Sequence, residues 1–103
     1  MFAINDYIRN FRNFDEEDPY FTPRITCKDG FSISVQASHF HYCSPGEDTC
    51  FLYTSVEAGY PAEVEPLLIE YAEGGADDLT KDVYPYVPVE VIEEVINKHG
   101  GIK

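Results

Sequence analysis

Histidine and cysteine side chains are concentrated in residues 39–50. His39, His41 and Cys43 recur at every second position, and Cys50 follows after six residues that include a Ser-Pro-Gly turn. In an extended strand, alternate side chains point to the same face. A short strand followed by a turn could therefore aim four imidazole and thiolate groups at one point. Zinc binds such groups in a tetrahedron, so the pattern predicts a structural zinc site.

A fifth candidate ligand, Cys27, lies on a different predicted strand. Ranked by geometry, Cys43 and Cys50 come first, then Cys27 and His41, with His39 as the substitute. The spacing matches no standard zinc finger, so three interpretations stay open. They are structural zinc held by four of the five groups, unpaired or core thiols beside surface imidazoles, and a Cys43–Cys50 disulfide. An odd number of cysteines favours metal or free thiols over a disulfide framework.

The N-terminal residues carry neither a basic region nor a long apolar run. This predicts no signal peptide and no membrane span, and hence a cytoplasmic, reducing location. A chain of 103 residues corresponds to about one small domain, which we expect to span residues 1–103.

Negative charge is the strongest signal in the composition. The 19 acidic and seven basic residues give a net charge of −12. Eleven of the acids but only one base, Lys81, lie between Glu57 and Glu94. A field of this sign repels nucleic acid and attracts basic surfaces, so direct nucleic-acid binding is not expected. The plain alternative is an acidic surface that keeps the protein soluble.

Hydrophobic periodicity and turn residues predict an α+β fold. We expect a small antiparallel sheet, made of one hairpin and one or two further strands, packed with two or three short helices. The hairpin needs a three-residue loop, Lys28-Asp29-Gly30, because only that register places Ile25, Cys27, Phe31, Ile33 and Val35 on one apolar face. The predicted helices cover residues 3–14, 62–73 and 88–99, and Pro66 either starts or kinks the second of them. The predicted strands cover the hairpin 24–36, then 51–58 and the edge strand 83–87.

Enzymatic chemistry has little support in the sequence. No Ser-His-Asp set, P-loop or Gly-x-Gly-x-x-Gly pattern occurs. A His/Cys zinc site with an open position could be catalytic, as in deaminases, but their His-x-Glu and Pro-Cys-x-x-Cys patterns are missing. His99, in the last turn of the predicted C-terminal helix, is best explained as a cation that interacts with the helix dipole.

Residues 83–102, Val-Tyr-Pro-Tyr-Val-Pro-Val-Glu-Val-Ile-Glu-Glu-Val-Ile-Asn-Lys-His-Gly-Gly-Ile, resemble the C-terminus of a group of small phage and prophage proteins. Residues 27–37, 42–45 and 53–61 are similar to earlier segments of the same group. With its His/Cys cluster, the chain resembles a zinc-containing anti-CRISPR protein of the type II-A class. Many members of the wider group have Ser in place of Cys43 and lack the histidines, which implies that a metal would be a local addition to a self-sufficient domain.

The resemblance implies binding to the host's Cas9 and interference with DNA loading. Cas9-type proteins hold nucleic acid in positively charged channels, which carboxylates could occupy. The expected partner-binding residues are the acids of the predicted helices and of the loop between them: Glu63, Glu65, Glu70, Glu73, Asp77, Asp78, Asp82, Glu90, Glu93 and Glu94. The alternative is a phage accessory or regulatory protein that binds another host factor, with zinc purely structural.

Overall fold

The β-hairpin predicted around Asp29-Gly30 is the first part of the sheet in the computed structural model. The model describes residues 3–14, 17, 19–50, 52–74 and 77–103. Strands β1 (Ile25–Thr26) and β2 (Ser32–Gln36) are antiparallel, with Ile25 opposite Ile33. The amide of Cys27 donates to the carbonyl of Phe31, 2.7 Å away, and Gly30 has a φ of +96°. These contacts confirm the three-residue loop, in which glycine adopts a left-handed conformation without steric cost.

Two further strands complete an antiparallel sheet of order β1-β2-β3-β4. Strand β3 spans Ser55–Gly59 and strand β4 spans Val83–Pro88. The pairing of β3 with β4 shifts between Val56 and Ala58, and Tyr86 in β4 has a φ of +53°. The Tyr86 amide donates to the carbonyl of Tyr42 instead of to β3. Strand β4 therefore bulges at Pro85-Tyr86 and lies at the edge of the sheet, as its proline predicts.

The opposite edge of the sheet is contacted by the C-terminal residues. Cys27 forms an isolated antiparallel bridge with Ile102. The amide of Lys28 donates to the carbonyl of Gly101, and the amide of Lys103 donates to the carbonyl of Thr26. The chain beyond the last helix therefore supplies backbone partners to β1.

Helices α1 (Ile4–Phe11) and α2 (Val89–Lys98) pack against each other. Their apolar positions share a single buried cluster with the sheet, since hydrophobic side chains at helical spacing lie on one face. The fully buried members of that cluster include Ile4, Ile92, Val95 and Ile96 from the helices and Ile33, Val35, Val56 and Val87 from the sheet. The predicted α+β class, with an antiparallel sheet and short helices, is confirmed.

Residues 62–73 form a shorter element than the predicted helix. A 3-10 helix spans Pro66–Tyr71, and a second 3-10 helix spans Leu79–Lys81. Proline disfavours helical backbone in the residue before it, and Glu65 is indeed extended with a φ of −110°. A helix therefore cannot continue from residue 62 through Pro66.

The predicted strand 51–58 begins late, at Ser55. Residue 51 lies outside the described residues. The backbone of Tyr53 is bonded to the side chain of Asn5, and the amide of Thr54 donates to the carbonyl of Ser44. These partners hold residues 53–54 apart from the β2–β3 ladder. In the described part of the chain, no helix has the length and apolar character needed to cross a membrane.

Candidate functional site

The His/Cys stretch folds as a series of turns, so the expected strand through His39, His41 and Cys43 is wrong. His39 is exposed, and both its amide and its Nδ1 contact the carboxylate of Asp48. The Nδ1 of His41 lies 2.6 Å from the hydroxyl of Ser38. The alternation of side chains fails because the polar groups of Ser38, His39 and His41 are bonded within the loop, which favours turns over an extended strand.

Cys43 is buried at the base of this loop. Its thiol donates to the carbonyls of Ser38 and Pro45, each 3.3 Å from the sulfur. Burial raises the pKa of the Cys43 thiol, and the smaller lowering by the Ser38 hydrogen bond does not offset it. The protonated thiol is therefore the favoured form in this geometry. Cys50 is half-buried, and all three cysteines are free.

Cys27 lies away from the other candidate ligands, at the end of β1. Its side chain is fully buried in the hydrophobic core, and its backbone faces Ile102. Burial, followed by the negative charge of Asp29, raises the pKa of this thiol. The position suits a small core residue.

The candidate ligands do not fit a zinc site as they are placed. Among the described residues, no group of three or more His, Cys, Asp or Glu side chains is arranged to hold a metal ion. His39 and His41 are bonded to Asp48 and Ser38, and Cys27 belongs to the core. A tetrahedral site would require the 38–50 loop to rearrange, so the function proposed below makes no use of a metal.

An ionic cluster that the sequence did not reveal joins three distant segments. His99, at the C-terminal end of α2, is buried between two carboxylates. Its Nδ1 lies 2.6 Å from the Asp29 carboxylate and its Nε2 lies 2.8 Å from the Glu65 carboxylate. The ring stacks on Phe31 with centroids 4.0 Å apart. Lys98 adds a third cation–carboxylate contact, with Nζ 2.9 Å from Glu65.

The charges of this cluster stabilise one another. Burial by itself lowers the pKa of His99, but hydrogen bonds to Asp29 and Glu65 outweigh it, and the net pKa is raised. For Glu65, burial raises the pKa, while the Leu67 amide, Lys98 and His99 lower it more strongly, so the net pKa is lowered. Charged His99 therefore has the role of a buried ion-pair partner as well as that of a C-terminal cap.

Seven of the ten acids expected to bind a partner are exposed. They are Glu63, Glu70, Glu73, Asp77, Asp78, Glu90 and Glu94. Among the described residues, none of the seven forms an ion pair. Asp78 also caps the second 3-10 helix through the amide of Thr80, 2.9 Å away. Their carboxylates are thus open to solvent and to a partner.

The other three acids make internal contacts. Glu65 and Asp82 are buried, contrary to the expectation that they lie on an exposed surface. The Asp82 carboxylate accepts hydrogen bonds from the amides of Gly74 and Val83. Glu93 is half-buried and accepts from the amide of Ile4, 3.1 Å away. The position of Glu65 directly before Pro66 could have indicated its internal role. Proline favours the first position of a helix, and the side chain of the residue before it can cap the helix.

The segments that carry the exposed acids are held in place. The 3-10 helix Pro66–Tyr71 packs against both β4 and α2. The amide of Glu73 donates to the carbonyl of Val83, and the Glu65–Lys98 ion pair joins the start of the 3-10 helix to the end of α2. Glu90 and Glu94 are separated by one turn of α2, so they project from the same side of that helix.

No known protein family, curated protein or solved structure matches this chain.

Proposed function

We propose that this protein binds a basic protein surface through the exposed acids between Glu63 and Glu94. The observation that carries the proposal is the set of seven exposed carboxylates in this segment, none of which forms an ion pair within the described residues. In the same segment, the basic residue Lys81 is the only cation. A surface of this kind attracts Lys- and Arg-rich partners and raises their association rate.

The resemblance to type II-A anti-CRISPR proteins makes the host's Cas9 the proposed partner. Cas9 holds nucleic acid in a positively charged channel and contacts its backbone. Carboxylates that occupy those basic side chains would compete with the phosphates of DNA and so block DNA loading. The protein then acts by occupying a binding site, and no catalytic group is needed.

Internal contacts in the described part of the acidic segment support this mechanism. Ordering of flexible side chains and loops on binding costs affinity, so a preorganised surface binds more tightly than a mobile one with the same charge. Here the contacts of Glu65 with Lys98 and His99, and those of Asp82 with two backbone amides, restrain the segment from within. The buried acids thus position the exposed ones.

The test is a pull-down of type II-A Cas9, with and without guide RNA, at low and high salt. We expect retention that weakens as salt is raised, because salt screens exposed charges. The double variant Glu90→Lys/Glu94→Lys should weaken binding about tenfold or more, since each reversal replaces an attraction with a repulsion. Glu17→Lys/Glu47→Lys reverses two exposed acids outside the segment, so it changes the net charge by the same amount, and this matched control should retain binding.

Two results would contradict the proposal. Equal loss in Glu17→Lys/Glu47→Lys and in Glu90→Lys/Glu94→Lys would show that only the overall charge matters. A complete lack of retention would remove Cas9 as the partner and would leave the alternative, an accessory phage protein that binds another host factor. Thermal melts of each variant establish that the fold is intact.

A further inference from the structure

A cavity of about 280 Å³ lies between the C-terminal half of α1 and the residues before Cys50. Its walls are Ile8, Arg9, Arg12, Phe14, Thr49 and Cys50. The size is near the lower end of small-molecule sites, so it suits a compact ligand. None of these residues belongs to the acidic segment described above.

Positive charge is concentrated at this cavity in a protein of net charge −12. Two of the seven basic residues, Arg9 and Arg12, line it. Arg9 is exposed and contacts the carboxylate of Asp6, which is also exposed. A guanidinium group binds carboxylate and phosphate oxygens better than any other side chain does, because its N–H groups match their geometry.

Arg12 is held in place at the wall of the cavity. One terminal nitrogen of Arg12 donates to the carbonyl of Ala37 and to the hydroxyl of Tyr53, and the guanidinium lies 5.7 Å from the centroids of the Tyr20 and Tyr53 rings. The Nε of Arg12 is buried beneath the cavity wall and has no acceptor among the described residues, so a ligand in the cavity has to bind at the terminal nitrogens. These contacts fix a positive charge beside the cavity before any ligand binds, which reduces the cost of ordering the side chain on binding.

The rest of the cavity is suited to an apolar body. Ile8 is buried and forms one wall, while the ring of Phe14 is two-thirds exposed beside the opening. Phe14 is supported by an edge-on contact with Tyr20, with centroids 6.0 Å apart. The hydroxyl of Thr49 is a further polar group of the lining.

We infer that this cavity binds a small organic anion, with its carboxylate or phosphate on Arg9 and Arg12 and its apolar body against Ile8 and Phe14. The anionic group accepts from the guanidinium groups of Arg9 and Arg12 that line the cavity. The apolar part covers the exposed Phe14 ring. The inference does not depend on the proposed binding of Cas9, because the two sites share no residue.

The experiment is an NMR titration of the ¹⁵N-labelled protein with benzoate and, separately, with phenyl phosphate. The amides of Thr49 and Cys50 should shift in a saturable manner. Benzyl alcohol is the neutral probe of matched size and should bind at least about fivefold more weakly, as expected for loss of a charge-assisted contact. Inorganic phosphate is the probe without an apolar body and should also bind more weakly than phenyl phosphate.

Two exposed substitutions test the role of the charge without disturbing Arg12. Arg9→Gln should weaken benzoate binding about threefold to tenfold, and Asp6→Asn should strengthen it because one negative charge that competes with the ligand is removed from beside Arg9. Equal binding of benzyl alcohol and benzoate, or no response to either substitution, would overturn the inference. The absence of saturable shifts with both anions, in a protein whose spectrum is that of a folded domain, would also overturn it.

Discussion

Replacement of Glu65 by alanine should destabilise the protein more than replacement of any exposed acid. The Glu65 side chain is 2% exposed and accepts hydrogen bonds from the Leu67 amide, Lys98 and His99. Loss of a helix-capping acceptor costs about 1 kcal/mol. Loss of a partner from a buried ion pair costs about 3 kcal/mol, near the lower limit because Lys98 is partly exposed. The expected total is therefore about 3–4 kcal/mol.

Thermal and urea unfolding followed by circular dichroism measure this loss. For a domain of this size, about 1 kcal/mol lowers Tm by roughly 4–8 °C, so a loss of about 3–4 kcal/mol in Glu65→Ala should lower it by about 12–32 °C. Glu63→Ala, which removes an exposed acid two residues away, should change the stability by less than about 0.5 kcal/mol. A loss below about 1 kcal/mol in Glu65→Ala would refute the assignment of Glu65 as the centre of the ionic cluster.

The pH dependence of the same cluster has a defined sign. The folded pKa of His99 is above its ordinary value of 6.5, so its contribution to stability is complete below pH 6.5 and is lost as the pH rises through the raised pKa. The folded pKa of Glu65 is below its ordinary value of 4.5, so its contribution is complete above pH 4.5 and is lost as the pH falls. The stability gap between wild type and Glu65→Ala should therefore be largest between pH 4.5 and 6.5.

Three further measurements examine other parts of the molecule. Asn5→Ala should cost about 2–3 kcal/mol in urea unfolding, because the amide and carbonyl of Tyr53 both lose their buried side-chain partner. Gly30→Ala should cost about 1–2 kcal/mol through its backbone alone, since an added Cβ would meet no atom within 4 Å, and Gly30→Asn should recover part of that loss. The zinc hypothesis requires one equivalent of zinc by elemental analysis. The placement of the ligands favours no stoichiometric zinc and three free thiols when the unfolded protein is titrated, and one tightly bound equivalent of zinc that is lost in Cys43→Ser would contradict that placement.

Local patterns in the sequence were sufficient to predict the hairpin. The register followed from the requirement that Ile25, Cys27 and Phe31 share a face. The turn requires one residue with a positive φ, and Gly30 is that residue. Both α-helices followed from apolar spacing in the same way. These elements are determined by residues that are close together in the sequence, so local sequence patterns are sufficient to predict them.

The ionic cluster could not be predicted because its members are distant in the sequence. His99 lies 70 residues from Asp29 and 34 residues from Glu65. Each of the three residues has an adequate local role, in a turn, at a helix start and at a helix end, so nothing in the sequence indicates that they meet. The prediction of a strand through His39, His41 and Cys43 failed for a different reason. The loop contacts the sheet at single points, Tyr42 with Tyr86 and Ser44 with Ser55, while His39 and His41 bond polar side chains within the loop.

The two edges of the sheet restrict how this protein can associate with others. Strand β4 is interrupted by Pro85, by the bulge at Tyr86 and by Pro88, while β1 is bonded to residues 101–103. A regular exposed edge is a template for strand addition and for aggregation, and neither edge here offers one. Despite its sheet, the protein is therefore protected against edge-to-edge polymerisation. A partner must recognise its side chains, because backbone pairing by an added strand is blocked on both sides.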